Sequence, residues 1–297
     1  MEIEPKVAII LVNYNGYKDT IECLQSLRSI EYKNYEVIVV DNASTNESVK
    51  EIKSFISGNE RLIESNANDG FSSGNNIGIR YALNNGADYC LLLNNDTIVE
   101  PDFLNKLVDA FNNSEYCGLT IGKILYEGQR NLIWYAGGSI SERTAKTVHW
   151  HYKETDQETT KEIAQVTFAT GCCMCISKKV IDQVGYLDEE YFLYEEDVDY
   201  CCRIKKAGFD IIYVPDSRIY HKVSSSSNEI SVSTQYYIIR NKLIMINKHY
   251  RGFNKISAML FCTAQFVYRC IKGELQFGLM RKAYIAYLQH ETGRRLS

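Results

Sequence analysis

The 297-residue sequence lacks any apolar run of the about 18–20 residues that a membrane-spanning helix requires. Its start has no positively charged segment followed by a small-residue cleavage site, so we expect no signal peptide and a cytoplasmic protein. The net charge of −4 gives no support for binding nucleic acid. Neither a G-x-G-x-x-G nor a P-loop sequence is present, which argues against two common nucleotide-binding folds.

Cysteine, in contrast, is abundant. Most of the ten cysteines lie in apolar segments of a large chain, which favours reduced, buried thiols over disulfides. Cys172 and Cys175 form a C-x-x-C pattern, but no second Cys/His pair has the spacing of a zinc site. A zinc or redox role is the alternative, and we favour small apolar packing residues within a strand.

Positive charge is concentrated near the C-terminus. From Arg251 onwards there are eight Lys/Arg and two Glu, so this part carries +6 and residues 1–250 carry −10. An apolar stretch at 256–268, too short to span a bilayer, precedes basic and aromatic residues. The pattern predicts a basic amphipathic helical tail at 246–297 that either binds an anionic membrane surface peripherally or packs on the domain.

Apolar strand patterns alternate with helical patterns along the first hundred residues. VAIILVN (Val7–Asn13), EVIVVD (36–41) and DYCLLLNND (88–96) are typical of strands buried on both faces. Between them, residues 17–30 and 77–83 show helical spacing of apolar side chains. This alternation predicts an α/β fold with a mostly parallel sheet flanked by helices.

Each of the three strands ends in polar side chains: Asn13, Asp41, and the run from Asn94 to Asp96. Ligands of open α/β sheets bind outside the carboxyl ends of the strands, so these groups could line one crevice. Asp96 suits Mg²⁺ or Mn²⁺, which take one or two carboxylates and leave other positions to phosphate and water. The alternative is that each side chain caps the following helix.

Two further segments contain residues of possible chemical use. NDGFSSGNNIG (68–78) places Gly70 before a helix, where the backbone can approach an anion closely, although such stretches also form simple turns. YFLYEEDVDYCCR (191–203) places Glu196 and Asp197 after aromatic residues, as in a sugar platform with a positioned base. Interaction with the helix dipole also explains acidic residues there. His221 ends a later apolar stretch, as a metal ligand or a structural residue.

In this order, VNYNG, VVDNAST, NDGFSSGNNIG, LLLNND, YEEDVDYCCR and IYHK resemble the motifs of family 2 glycosyltransferases, especially rhamnosyltransferase-like members. The resemblance covers about residues 7–241. It implies a GT-A fold, with a Rossmann-like mostly parallel sheet, in a catalytic domain at 1–245. The nucleotide-binding half would comprise about residues 1–100 and the acceptor half 101–245, followed by the helical tail.

The resemblance also implies roles for individual residues. Asp96 and His221 would hold Mg²⁺ or Mn²⁺, and Asp197 would be the catalytic base, with Glu196 orienting the acceptor. The D-x-D position here contains Asn94-Asn95-Asp96, so an amide replaces its first carboxylate. The nucleotide pocket would comprise Asn13, Tyr14, Asp41, Asn42, Gly70, Asn75, Asn94 and Asn95.

The implied reaction is inverting transfer of a hexose, with L-rhamnose as first candidate, from a dTDP- or UDP-sugar to a saccharide hydroxyl. The implied acceptor is linked to polyprenyl, as in bacterial surface polysaccharide synthesis. A sugar-1-phosphate nucleotidyltransferase is one alternative, but it should carry a Gly-rich loop with Arg and Lys where this chain has NYNGYKD. An inactive sugar-binding protein is another, but it would not need Asp96, Asp197 and His221 together.

Overall fold

A computed structural model describes residues 4–157, 162–223 and 231–294. One continuous sheet has the strand order β10-β12-β6-β11-β4-β1-β2-β3, with β5 paired to β12 and β7 paired to β6. The strands are β1 (Val7–Asn13), β2 (Tyr35–Asp41), β3 (Glu60–Glu64), β4 (Tyr89–Leu93), β5 (Thr97–Val99), β6 (Cys117–Tyr126), β7 (Gln129–Tyr135), β8 (Gly138–Ile140), β9 (Thr147–His149), β10 (Ala164–Val166), β11 (Cys173–Ser177) and β12 (Asp210–His221). The small β8–β9 pair lies outside this sheet.

Helices flank the sheet and form the C-terminal extension. The α-helices are α1 (Tyr17–Leu27), α2 (Ser48–Phe55), α3 (Gly70–Asn84), α4 (Phe103–Asp109), α5 (Lys178–Val184), α6 (Glu196–Lys206), α7 (Val232–His249), α8 (Gly252–Ile271) and α9 (Phe277–Leu288). The predicted boundary at residue 245 falls inside α7, whose side chains are largely buried. Within the described ranges, no helix is both long and apolar enough to cross a membrane.

The predicted fold class is confirmed. β4, β1, β2 and β3 run parallel, and Asn13 is level with Asp41 in the register of β1 and β2. β6 and β12 are also parallel, while β11 enters antiparallel between β4 and β6. Strand ends predicted from the sequence to be polar therefore do meet at one edge of the sheet.

Buried apolar strands hold these elements together. All five residues from Val7 to Leu11 are fully buried beneath the helices, as expected for a strand covered on both faces. A Cβ on Gly78 would lie 2.5 Å from Cγ2 of Ile10, and one on Gly74 would lie 2.8 Å from Cγ1 of Val12. These two glycines thus allow α3 to pack closely on β1, which is a structural use of the glycine spacing.

Candidate active site

A cavity of about 600 Å³ lies at the carboxyl ends of β1, β2 and β4. Of the residues predicted to form the nucleotide pocket, Tyr14, Asn42, Gly70 and Asn95 line it, together with the predicted metal ligand Asp96. Phe192, from the aromatic run predicted to form a sugar platform, also lines it, and the predicted site did not include the other lining residues: Val12, Gly16, Asp19, Asn68, Phe71, Leu193, Ser233, Tyr237 and Arg294.

Two predicted nucleotide residues, Asn13 and Asp41, lie at the ends of β1 and β2 behind the cavity lining. Asn13 is fully buried and its Nδ2 donates to Oδ2 of Asp41 at 2.7 Å. Asp41 also accepts from the backbone N–H of Ser44 at 2.8 Å and from its hydroxyl at 2.7 Å. These bonds satisfy the buried polar groups and fix the loop after β2. Neither residue lines this cavity. Each directly precedes a residue that does, Tyr14 or Asn42, and so helps to position it.

Three other predicted nucleotide residues also bond within the protein. Asn75 is buried and donates from Nδ2 to the carbonyl of Phe71 at 2.9 Å, within α3. Asn95 reaches Oγ1 of Thr20 at 2.8 Å while still lining the cavity. The backbone carbonyl of Asn94 accepts from the hydroxyl of Thr97, which shapes the tight connection between β4 and β5.

Gly70 is placed where no side chain fits. Its φ is +94°, and a Cβ would lie 2.0 Å from the carbonyl oxygen of Phe192. The neighbouring N–H of Phe71 donates to that same oxygen at 2.9 Å. The close approach predicted for Gly70 is therefore made to the loop before α6, and it brings that loop to the cavity wall.

Asp96 and His221 meet beside the cavity. Antiparallel pairing of β5 with β12 sets His221 level with Thr97, one residue from Asp96. Oδ1 of Asp96 lies 3.1 Å from Nε2 of His221 without hydrogen-bond geometry. This buried oxygen has no hydrogen-bond partner among the described residues, and neither has Nδ1 of His221. An unpaired buried carboxylate oxygen costs free energy unless a cation or donor satisfies it.

This pair fits Mg²⁺ or Mn²⁺. Such ions accept carboxylate oxygen, and imidazole suits several divalent metals. In the described part of the chain, no group of three or more His, Cys, Asp or Glu side chains forms a complete metal site. Two protein ligands leave most coordination positions for phosphate oxygens and water, as is usual for Mg²⁺ beside a nucleotide.

A turn at residues 170–172, called here the 170–172 turn, bonds both to the segment that follows β4 and to the start of α6. The N–H of Gly171 donates to Oδ2 of Asp197 at 3.0 Å, and the carbonyl of Cys172 accepts from the N–H of Asn94 at 2.9 Å. The sequence favoured packing for this segment, with a zinc or redox role as the alternative, and the thiols of Cys172 and Cys175 are buried and free. The turn is a positioning element that links two predicted motifs.

The loop before α6 reverses direction sharply. Tyr194 and Glu195 have φ values of 68° and 74°, a conformation that costs free energy for residues other than glycine. Nδ2 of Asn241 donates to the carbonyls of Leu193 and Tyr194 at 2.9 and 3.0 Å. Lys242 pairs with Glu195 at 2.8 Å. These contacts from α7 hold the loop and set where α6 begins.

At the start of α6, Glu196 is buried and the neighbouring Asp197 is partly exposed. Burial raises the pKa of Asp197, although the N–H groups of Gly171 and Val198 act to lower it. Glu196 is 6% exposed, and its Oε2 has no hydrogen-bond partner among the described residues. Burial, followed by the charge of Asp197, raises the pKa of Glu196 well above its usual range. Two interacting carboxyls with raised pKa values are typical of acid–base sites.

Asp199 has a different role. Its carboxylate accepts from Nε of Arg203 at 2.7 Å and lies 2.7 Å from Nε2 of His249. Burial acts to raise its pKa, but His249 and Arg203 outweigh burial and lower it. Asp199 is thus an ionised residue that joins α6 to α7.

Comparison with known proteins decides the family. Residues 8–185 match the sequence model described as Glycosyl transferase family 2. The chain belongs to glycosyl transferase family 2. It is therefore a glycosyltransferase, as the ordered motifs predicted.

The relatives of this family 2 glycosyltransferase include rhamnosyltransferases. It is 25% identical over 249 residues to the dTDP-rhamnosyl transferase RfbF of Shigella flexneri, covering 81% of this chain and 80% of that protein. A shorter match, 39% identical over 62 residues, is to the N-acetylglucosaminyl-diphospho-decaprenol L-rhamnosyltransferase of Mycobacterium tuberculosis, covering 21% of this chain and 20% of that one.

Solved structures of glycosyltransferases share the GT-A fold. The mannosyltransferase PcManGT of Pyrobaculum calidifontis, in complex with GDP-Man and Mn²⁺, superposes with a TM-score of 0.60 at 16% identity. The match covers 98% of this chain and 84% of that chain. The predicted fold, including helices after the sheet, is confirmed.

Proposed function

We propose that this family 2 glycosyltransferase moves a hexose from a nucleoside-diphosphate donor to a saccharide hydroxyl with inversion, in the synthesis of surface polysaccharide. The observation that carries the proposal is the pairing of Asp96 with His221 beside the cavity, together with Asp197 held by the 170–172 turn, which also bonds to Asn94 two residues before Asp96. The name of RfbF favours dTDP-L-rhamnose as the first donor to test, with UDP-sugars next.

Asp96 and His221 would hold the divalent ion. When bound, the ion supplies positive charge that stabilises the departing nucleoside diphosphate. The protein's part is to fix the carboxylate: the N–H of Lys222 donates to the carbonyl of Asp96 at 2.9 Å, which secures the turn between β4 and β5. The rings of Trp134 and His221 pack in a T-shaped arrangement with 4.9 Å between their centroids, and this contact limits rotation of the His221 imidazole.

Asp197 is the proposed base. The acceptor oxygen forms a bond to the anomeric carbon while the bond from that carbon to the diphosphate oxygen breaks. A carboxylate of Asp197 takes the hydroxyl proton, and one displacement inverts the anomeric centre. The N–H groups of Gly171 and Val198 hold the carboxylate in place, and its raised pKa makes it a better proton acceptor than an exposed aspartate.

A donor panel tests the proposed function. We expect dTDP-L-rhamnose with Mn²⁺ to raise the melting temperature most, because ligand binding stabilises the native state by mass action. Adding an oligosaccharide acceptor should then release nucleoside diphosphate. Release of pyrophosphate from a nucleoside triphosphate and a sugar phosphate would indicate a nucleotidyltransferase instead, and binding without any release would indicate an inactive sugar-binding protein.

The same proposal includes a lipid-linked acceptor at a membrane surface. The name of the mycobacterial relative describes a substrate on decaprenol diphosphate. In this chain, α8 exposes a face with no charged residue, called here the α8 face: Phe253, Ile256, Leu260, Val267 and Ile271. The segment after residue 250 carries a charge of +6. An uncharged apolar face on a strongly basic extension fits an anionic lipid surface.

Vesicle binding tests the α8 face. Leu260→Glu/Ile271→Glu should abolish sedimentation with phosphatidylglycerol-containing vesicles at low salt, because two carboxylates on the face oppose both insertion and the surface charge. Transfer to a water-soluble acceptor should stay unchanged. The control Asn84→Glu/Asn112→Glu adds the same charge at exposed sites elsewhere. A wild-type protein that ignores vesicles and instead forms dimers broken by the α8 substitutions would show that the face joins two copies.

A further inference from the structure

After α9 the chain returns to the cavity of about 600 Å³ described above, called here the donor cavity. The N–H of Gly293 donates to the carbonyl of Glu190 at 2.7 Å, and the carbonyl of Gly293 accepts from Nη2 of Arg240 at 2.8 Å. The next side chain, Arg294, donates from Nη1 to the carbonyl of Asn68 at 3.1 Å. Hydrogen bonds from both its N–H and its carbonyl therefore fix Gly293, the residue that precedes Arg294, and Arg294 itself contacts the loop before α3.

Arg240 is an unusual anchor because it is fully buried. Its Nε donates to Oδ1 of Asn241 at 3.0 Å, and its Nη1 has no partner among the described residues. Within the described ranges it forms no ion pair with a carboxylate. Burying a guanidinium without a carboxylate is costly. The hydrogen bond from Arg240 to the carbonyl of Gly293 partly satisfies this buried guanidinium and fixes the C-terminal segment.

Arg294 changes the electrostatics of the donor cavity. Among the described residues that line the cavity, it is the one cation, and Asp19 and Asp96 are the two anions. Its guanidinium lies 5.9 Å from the centre of the Phe192 ring, which favours a defined orientation at the wall. A nucleoside diphosphate brings further negative charge into this cavity. Guanidinium groups bind phosphate oxygens through paired, charge-assisted hydrogen bonds.

We infer that Arg294 binds the diphosphate of the nucleotide donor in the cavity that Asp96 also lines. The segment at 293–294, positioned by Arg240, is thus part of the substrate site, beyond the membrane or packing role predicted for the tail. The inference rests on the proposed function, since it takes the donor to be a nucleoside diphosphate sugar.

Nucleotide titration tests the inference. Arg294→Ala should weaken binding of dTDP or UDP, measured by calorimetry with Mn²⁺, about 10- to 100-fold, as expected for loss of charge-assisted hydrogen bonds. Donor KM should rise similarly while acceptor KM stays unchanged. The matched control Arg281→Ala removes an exposed tail cation that does not line the cavity. Its affinity for nucleotide should equal that of the wild type.

The outcomes separate the possible failures. Wild-type protein that binds no nucleoside diphosphate would refute the proposed function itself. Equal nucleotide affinity in wild type and Arg294→Ala would overturn the inference alone. A nucleoside without phosphate should bind both proteins with equal affinity. If Arg294→Ala weakened nucleoside binding as much as nucleoside diphosphate binding, the assignment of Arg294 to the phosphates would be overturned.

Arg240→Gln tests the positioning role. As a single substitution it should weaken nucleotide binding. Combined with Arg294→Ala it should cause little further loss of affinity, because both substitutions remove the same contact between Arg294 and the diphosphate. Additive effects of the two substitutions on nucleotide affinity would exclude that coupling, whatever their effect on melting temperature.

Discussion

Asp197→Asn should lower the rate of sugar transfer by about 10²–10⁴-fold, the usual contribution of a positioned base. The amide keeps the size of the side chain, and its oxygen can still accept from the N–H of Gly171. It cannot take the proton of the acceptor hydroxyl. Affinity for the donor nucleotide should therefore stay close to that of the wild type, so that kcat falls and the nucleotide affinity does not. Steady-state transfer and a parallel nucleotide titration measure the two quantities.

Glu196→Gln is the matched comparison, because the two carboxyls are adjacent and coupled. Burial raises both pKa values, so kcat/KM should decline on acidification at a pH above the ordinary carboxyl range of about 3.9–4.3. A raised folded-state pKa contributes stability at low pH that is lost as the pH rises through it. Glu196→Gln should therefore melt at a higher temperature than the wild type at neutral pH. Near-normal turnover in Asp197→Asn, together with loss in Glu196→Gln, would identify Glu196 as the base.

Removal of divalent metal should abolish transfer and restoration of Mn²⁺ should recover it. The buried Oδ1 of Asp96, which lies beside His221 without a hydrogen-bond partner among the described residues, motivates this expectation, because a cation stabilises the departing diphosphate. Asp96→Ala and His221→Ala should each weaken Mn²⁺-dependent binding of nucleoside diphosphate in calorimetry. Asp19→Asn serves as the control, since Asp19 lines the same cavity but pairs with Lys222 at 2.9 Å. Undiminished turnover in EDTA with metal-free donor would refute the metal assignment.

The fold was predictable because local pattern and global position agree in this chain. Strands such as Val7–Asn13 are apolar up to their last residue because both faces are covered. The helical spacing that follows each strand then favours a parallel sheet. The resemblance to family 2 motifs singled out Asp96, Asp197 and His221, and the structure places Asp96 beside His221, while their chemical roles stay predictions.

Depth and distant contacts were not predictable. A strand-end position does not distinguish Tyr14, which lines the cavity, from Asn13, which is buried beneath it by its bond to Asp41. That bond depends on the register between two strands. Arg294 contacts Asn68 across 226 positions of sequence, so no local pattern could place it at the donor cavity. The positioning role of the 170–172 turn was not predictable either, because the apolar residues around it indicate only a buried strand.

The continuous sheet determines how substrates can enter and leave. Antiparallel β11 is hydrogen-bonded to β4 on one side and to β6 on the other. Strand β4 belongs to the predicted nucleotide-binding half and β6 and β11 to the acceptor half, so a ladder of backbone hydrogen bonds within the sheet joins the two halves. The halves therefore cannot swing apart about a hinge without breaking that ladder. Substrate exchange must instead use segments outside it, such as the loop at Phe192 and the chain at Gly293, where opening breaks only a few hydrogen bonds. Faster product release is then accessible through substitutions in these segments, with the melting temperature of the sheet largely preserved.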